Sequence, residues 1–376
     1  MSTDEPWAPP VSDRPPLLEV TGLRTHFFTA DGVVKAVDGV DLVVGPGEVV
    51  GLVGESGSGK SVTAMSVLQL VGDPGRIVGG TVRLDGEDLG AKSKEELRAI
   101  RGDRISMVFQ QPLSSLNPAY TTGFQIAEVY EVHEDIKRKV GRERAAEMLA
   151  RVGIPDARRR ARSYPHQLSG GQAQRVMIAM ALAAGPELLI ADEPTTALDV
   201  TIQAQILDLI RELRAETGMA VVLITHDLGI VAELTERVAV MYAGQIVEEA
   251  PTEALFASPL HPYTTGLIGS VPVIGQRKAE LAVIPGRVPN LVGLPPGCRF
   301  APRCTARIEA GLTRCTEELP ALVEVQPGHK VRCYLHSDVA EAEALDDGAP
   351  ATTGRATKVS VRRRRGRGRA TEVSET

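Results

Sequence analysis

Several absences narrow the class of this chain before any motif is read. No run of 18 or more apolar residues occurs, so no segment reads as a membrane-spanning helix. The N-terminus, Met1–Ser2–Thr3–Asp4–Glu5–Pro6, has neither a basic start nor an apolar stretch behind it. That predicts a protein made and kept in the cytoplasm without a membrane span of its own. Positive charge is not in excess: 42 Lys and Arg stand against 48 Asp and Glu, a net charge of −6, which argues against general nucleic-acid binding. Cysteine is absent before Cys298, and all four cysteines lie between Cys298 and Cys333. In a reducing cytoplasm a cluster of this kind reads as ligands for a metal or iron–sulfur group rather than as disulfides.

What is present fits one large α/β domain with an appendage: 376 residues exceed one typical domain, and 43% hydrophobic content is ample for a core. The organising stretch is Gly54–Glu55–Ser56–Gly57–Ser58–Gly59–Lys60–Ser61, followed by Val62, which fits G-x-x-x-x-G-K-[ST]. Val49–Val53 before it reads as a buried strand, and Ser61 to Leu70 after it has helical apolar spacing. In that context the glycines let backbone N–H groups point inward and form an anion nest at the positive end of the helix. Lys60 then reaches the β/γ-phosphates of a nucleotide, and the Ser61 hydroxyl ligates Mg²⁺. An ordinary Gly-rich turn is the alternative, and the flanking strand and helix weigh against it.

Residues 1–16 are rich in Pro and polar groups and read as a disordered tail. Leu18–Thr21, Leu23–Phe27, the turn at Asp31–Gly32 and the run near Val33–Asp41 read as antiparallel strands leading to the phosphate loop. Phe27, or Phe28 beside it, is either a base-stacking aromatic or a core residue. Thr81–Leu84 reads as a further strand, Ser93–Arg101 as a helix opened by a Ser-x-x-Glu capping pattern, and Ile105–Phe109 as a buried strand ending at Gln110. A helical insertion follows over about 111–168. Leu168–Ser169–Gly170–Gly171–Gln172 then precedes an apolar helix, Val176 to Ala184. Leu188–Ala191 and Ala220–Thr225 read as buried strands ending in Asp192–Glu193 and His226–Asp227. Strands alternating with helices, with polar residues gathered at the strands' C-terminal ends, predict a parallel sheet carrying its site at that edge. Asp192 stands where a carboxylate serves Mg²⁺ at the phosphate loop, and Glu193 where it acts on an attacking water. Capping of the next helix is the other use of such a pair.

The phosphate loop, Gln110, Leu168–Gln172, Leu188–Glu193, Ala197–Leu198–Asp199 and His226 occur in the order found in the ATPase domains of ABC transporters, which this chain resembles over about residues 17–257. The resemblance implies a parallel-sheet core with an antiparallel β subdomain and a helical subdomain. It implies that Lys60 and the loop amides hold the phosphates, and that Ser61, Gln110 and Asp192 serve Mg²⁺. Glu193 is then the general base, His226 contacts the γ-phosphate, and Phe27 takes the base-stacking place, although the family's usual Tyr is absent. Ser169, Gly170 and Gly171 then contact the γ-phosphate bound by an opposite subunit, so hydrolysis takes place in a head-to-tail dimer, and Gln172 and Asp199 join the ATP-binding set. Retention of Lys60, Asp192, Glu193 and His226 argues against a subunit that binds ATP without hydrolysing it, and a soluble non-transport ABC ATPase is expected to carry two such domains or inserted coiled coils.

Gln110–Gln111–Pro112–Leu113–Ser114–Ser115–Leu116–Asn117–Pro118 is similar to the FQDP-x-x-SLNP segment of the ATPase subunits of bacterial oligopeptide and dipeptide importers, with Gln111 in place of Asp. Ser258–Thr264, containing His-Pro-Tyr, is similar to the opening of their C-terminal extension, expected here over 258–336. Nickel and glutathione importers share much of this pattern. The resemblance implies partners: a second ATPase subunit, two membrane permease subunits contacted at the cytoplasmic face of the inner membrane, and indirectly an extracytoplasmic peptide-binding protein. Cys298, Cys304, Cys315 and Cys333 follow C-x5-C-x10-C-x17-C, with no short C-x2-C pair. Four thiolates suit a [4Fe–4S] cluster, which some of these subunits carry, or zinc; reduced unliganded thiols are the third reading. Residues 337–376 end in Arg362–Arg365, Arg367 and Arg369 and read as a disordered basic tail that is solvated, touches anionic lipid or binds nucleic acid weakly.

Overall fold

The computed structural model describes residues 15–196, 198–270 and 284–336. The two tails expected to be disordered, apart from residues 15 and 16, and Ala197 lie outside the described residues. Along the chain the strands are β1 (Leu18–Thr29), β2 (Gly32–Val44), β3 (Val49–Val53), β4 (Gly75–Leu84), β5 (Glu87–Asp88), β6 (Ile105–Val108), β7 (Leu188–Asp192), β8 (Ala220–Thr225), β9 (Arg237–Tyr242), β10 (Gln245–Pro251), β11 (Val323–Gln326) and β12 (His329–Val331).

They form two sheets. The larger has the order β11-β12-β10-β9-β3-β8-β7-β6, and the smaller β2-β1-β4-β5. In the larger sheet β9, β3, β8, β7 and β6 run parallel. Every residue of β3, β7 and β8 is buried, as expected of strands covered on both faces, and this is why they read as unbroken apolar runs. The smaller sheet is antiparallel. In β1, Leu18, Val20, Leu23 and Thr25 are buried while Glu19 and Arg24 face outward.

Two elements depart from their sequence boundaries for local reasons. β4 starts at Gly75 rather than Thr81, because Gly79 and Gly80 sit inside it at a bulge against β1, and Gly80 adopts φ +86°. The helix after the phosphate loop spans Lys60–Val67 and stops before Leu70, where Gln69 turns to φ +54°. The Ser93 capping pattern forms as read: Ser93 Oγ accepts from the Glu96 amide, and Glu96 accepts from the Ser93 amide at 2.7 Å.

The helices Thr122–His133 and Arg138–Arg151 pack through Ile126, Ala127 and Tyr130 against Ala145, Met148 and Leu149. The same cluster contains Ala173, Val176 and Met177 of the helix Gly170–Leu182, so the helical layer is joined to the sheet by one apolar core. Beyond β10 the chain does not hang free of the sheet. The β11–β12 pair extends it through β10, and Tyr263 and Phe300 pack on Tyr242 of β9 with ring centroids 4.6 and 5.3 Å away.

Candidate functional site

β3 runs straight into the phosphate loop, whose shape depends on glycine at two places. Gly54 lies at φ +150°, and a Cβ there would come within 2.1 Å of the Met241 carbonyl oxygen. Gly59 lies at φ +109° with the Ala36 carbonyl 2.3 Å from where its Cβ would stand. Both positions therefore exclude any side chain. Lys60 is 6% exposed, and its Nζ donates to the Gly54 and Glu55 carbonyls at 2.8 and 3.0 Å, with Ser58 Oγ 3.4 Å away. Burial lowers its pKa, opposed by the charges of Glu193, Asp192 and Glu55. Val62, also expected at the site, packs half-buried against the core.

The C-terminal ends of β6, β7 and β8 deliver the acidic and polar groups to the same edge, as the parallel sheet predicts. Asp192 is 4% exposed, and burial raises its pKa against a hydrogen bond from Ser61. Its Oδ1 is buried with no hydrogen-bond partner. An orphaned carboxylate oxygen beside the Ser61 hydroxyl is the donor set of a hard divalent cation. Ser61 and Asp192 therefore fit Mg²⁺.

Glu193 adopts φ +46°, with its amide donating to the Ile224 carbonyl of β8 at 2.8 Å. Its Oε2 accepts from Gln110 Nε2 and from Thr196 Oγ1, each at 2.7 Å, and His226 Nδ1 stands 3.2 Å from Oε1. Burial pushes this carboxyl upward, but the hydrogen bonds from Thr196 and His226 outweigh it and hold the pKa below the ordinary value. Glu193 is thus ionised at neutral pH, and His226 Nδ1 carries the proton it donates. Thr196 is the member of this network that the sequence reading missed; its place three residues after Glu193 in a turn was the available signal.

Ser169 caps the helix Gly170–Leu182, its Oγ accepting from the Gln172 amide while Gln172 Oε1 accepts from the Ser169 amide, both at 3.3 Å. Such a box contributes about 1 kcal/mol. These residues line a cavity of about 440 Å³ with Leu198 and Asp199, and Asp199 caps the helix Val200–Thr217. None of the phosphate-loop, Gln110, Asp192, Glu193 or His226 side chains borders that cavity. One chain therefore brings together the loop group and the Gln110–Glu193–His226 group, and leaves the Ser169–Gln172 segment elsewhere. Phe27 is half-buried on β1 against Gly75 of β4, where a Cβ would lie 2.7 Å from its ring, while Phe28 is 48% exposed.

Cys298, Cys304, Cys315 and Cys333 are free thiols lining one cavity of about 10 Å³ together with His261, Phe300 and Arg307. That is room for about one water. Burial pushes the Cys298 thiol up to about 11 and the Cys333 thiol up to about 12, and raises Cys315, so these groups stay protonated. Among the described residues no group of three or more His, Cys, Asp or Glu is arranged to hold a metal ion. The expectation of a [4Fe–4S] cluster or zinc thus finds no support among the described residues, although the fold does gather the four thiols.

The chain matches two families. One, described as ABC transporter, covers residues 37–196, and the other, described as oligopeptide/dipeptide transporter, C-terminal region, covers 247–310. A protein named as a peptide import ATP-binding protein in Brucella melitensis is 52% identical over 339 residues, spanning 87% of this chain and 99% of the relative. The oligopeptide transport ATP-binding protein AppD of Bacillus subtilis is 50% identical over 323 residues, covering 86% and 97%. Among solved structures, the dimeric ATP-binding cassette MJ0796 bound to ADP and Pi superposes with a TM-score of 0.57 at 31% identity, covering 62% of this chain and 98% of that one. The cbiO1 protein from Clostridium perfringens gives 0.54 at 28% identity, covering 65% and 92%.

Proposed function

The chain belongs to the ABC transporter family, as an ATP-binding subunit of the peptide-import type with ATPase activity, and from that premise we propose that it hydrolyses ATP in a head-to-tail dimer to drive di- or oligopeptide import through separate membrane permeases. The observation that carries the reading is Glu193: ionised, fixed by Gln110, Thr196 and His226, and adjacent to a phosphate loop.

The chemistry follows from those groups. Loop amides and the Lys60 ammonium bind the β- and γ-phosphates, and Lys60 exchanges its bonds to the Gly54 and Glu55 carbonyls for phosphate oxygens. Ser61 and Asp192, with Gln110 as the third expected ligand, would hold Mg²⁺, which when bound would supply positive charge against the triphosphate. Glu193 accepts the proton of the attacking water as its oxygen bonds to the γ-phosphorus. The bond to the β-γ bridging oxygen breaks, leaving ADP and inorganic phosphate. His226 holds Glu193 through Nδ1, and its ring, with a side chain 63% exposed, stands at the open side of the site.

Two features support the composite dimer: the capped Ser169–Gln172 helix start lies at a cavity apart from the loop of its own chain, and MJ0796 is described as dimeric. Phe27 is assigned to the adenine base. We place the protein peripherally at the cytoplasmic membrane face, with the ATPase domain over about 17–257 and the extension over 258–336; among the described residues no helix is long and apolar enough to cross a membrane. The test is ATP hydrolysis and peptide uptake by the chain assembled with its permease subunits in proteoliposomes. Both activities should be present with wild type and lost with Lys60→Ala; uptake that survives Lys60→Ala contradicts the reading.

A further inference from the structure

Glu55 occupies the second position of the phosphate loop, and all three of its polar groups are held. Its carbonyl accepts from Lys60 within the loop at 3.0 Å. The same carbonyl accepts from the Ser58 amide at 3.2 Å, and two further partners come from far along the chain, in the C-terminal extension. The Glu55 amide donates to the Tyr263 hydroxyl at 2.8 Å, across 208 residues. Its carboxylate accepts from Arg303 Nη1, at 3.1 Å to each oxygen, across 248 residues.

Neither partner is placed by accident of a flexible side chain. Tyr263 is fully buried between the rings of Tyr242 and Phe300. Arg303 is 8% exposed, and its Nε donates to the Pro285 carbonyl at 2.7 Å while Nη1 also reaches the Tyr242 hydroxyl at 3.3 Å. The same extension grips the neighbouring walls: Arg299 pairs with Asp38 and donates to the Ala243 carbonyl, and the Leu291 carbonyl accepts from the Lys35 amide at 3.1 Å. The extension therefore forms a brace against the outer side of the phosphate loop.

We propose that Tyr263 and Arg303 are positioning residues for ATP, acting through Glu55 to keep the phosphate loop in its binding shape. The inference rests on the reading of this loop as the ATP site. Neither residue touches the reacting atoms, so their removal acts on nucleotide affinity and leaves the chemical step alone. An amide that donates to Tyr263 and a carbonyl that accepts from the Ser58 amide at 3.2 Å fix the peptide planes on either side of Glu55, and the ion pair with Arg303 fixes the residue against the fold. Freed of these ties, the loop samples other backbone conformations, and ATP binds only the fraction in the right one.

The test uses the full chain, with ATP affinity measured by equilibrium titration and turnover measured in the transporter complex. Tyr263→Phe keeps the buried ring and removes one hydroxyl; Arg303→Gln removes the charge, and Arg303→Lys restores charge without the forked geometry. Tyr263→Phe and Arg303→Gln should each raise the ATP Kd and KM by about threefold to tenfold, with kcat at saturating ATP within about twofold of wild type and Arg303→Lys in between. Adding Glu55→Gln to Arg303→Gln should weaken binding no further than either change alone. A role confined to folding of the extension gives a different pattern, fewer binding-competent chains and a lower Tm at unchanged Kd, and that result overturns the inference. So does a fall in kcat at unchanged KM, or additivity in the double variant. Failure of the wild-type chain to bind ATP overturns the functional reading itself, and the inference with it.

Discussion

Glu193 takes three hydrogen bonds on two oxygens, and its neighbour Asp192 leaves one buried oxygen without any. Their environments push adjacent carboxyls in opposite directions: Asp192 upward by burial, Glu193 downward because donors outweigh burial. This division suits one group to a cation and the other to a proton. The Thr196 hydroxyl is one of the donors that hold Glu193 low, so Thr196→Val lets burial prevail and raises the Glu193 pKa. Because catalysis needs the ionised carboxylate, the acid limb of the pH–rate profile should move to higher pH in Thr196→Val, with turnover near neutral pH reduced less than at acid pH. An acid limb that stays in place removes Thr196 from the tuning of the base. Motif residues such as Lys60, Asp192, Glu193 and His226 were legible in the sequence because each stands at a fixed offset within a contiguous pattern. Thr196 and Arg303 were not, since a hydroxyl in a turn and one arginine among 42 Lys and Arg carry no local pattern.

At the scale of elements, the order of strands and helices up to β8 follows from apolar runs of strand length and from glycine and capping signals. The later additions to the sheet do not. β11 and β12 have four and three residues, too short for a period to register, and their pairing to β10 is a long-range choice. That junction is held by Glu248 of β10, which is completely buried and accepts from the Leu260 and His261 amides at 2.7 and 2.8 Å, with His329 Nε2 of β12 2.7 Å away. Burial pushes Glu248 upward, but these donors hold it below the ordinary carboxylate value. A depressed carboxyl stabilises the fold above its unfolded pKa, and that contribution is lost as pH falls below about 4.5 through the folded value. Glu248→Gln keeps the shape but replaces a charged acceptor with a neutral one, so it should cost about 1.5–3 kcal/mol at pH 7. The melting temperature of the variant should also depend less on pH below 4.5 than that of wild type. Equal pH dependence in both proteins assigns the acid sensitivity to other groups.

In the whole molecule the loop and base form one group, and the Ser169–Gln172 helix start lines a separate cavity. The composite reading predicts that Ser169→Arg, which places bulk and charge where the partner's phosphate is expected, leaves ATP affinity of the single chain within about twofold of wild type. Turnover of the assembled transporter should fall by roughly 10²-fold, the scale of losing a transition-state donor; turnover kept at the wild-type rate contradicts the dimer. The fold class was legible at this scale because a phosphate loop, alternating strands and helices and the Leu168–Gln172 segment occur in one order. The brace of the extension on the loop was not, because it joins residues more than two hundred positions apart. Glu193 as the base of an ATPase is tested most directly by steady-state phosphate release from the transporter complex carrying Glu193→Gln. It should bind ATP normally and turn over roughly 10²–10⁴-fold more slowly than wild type, whereas phosphate release at the wild-type rate would take Glu193 out of the mechanism.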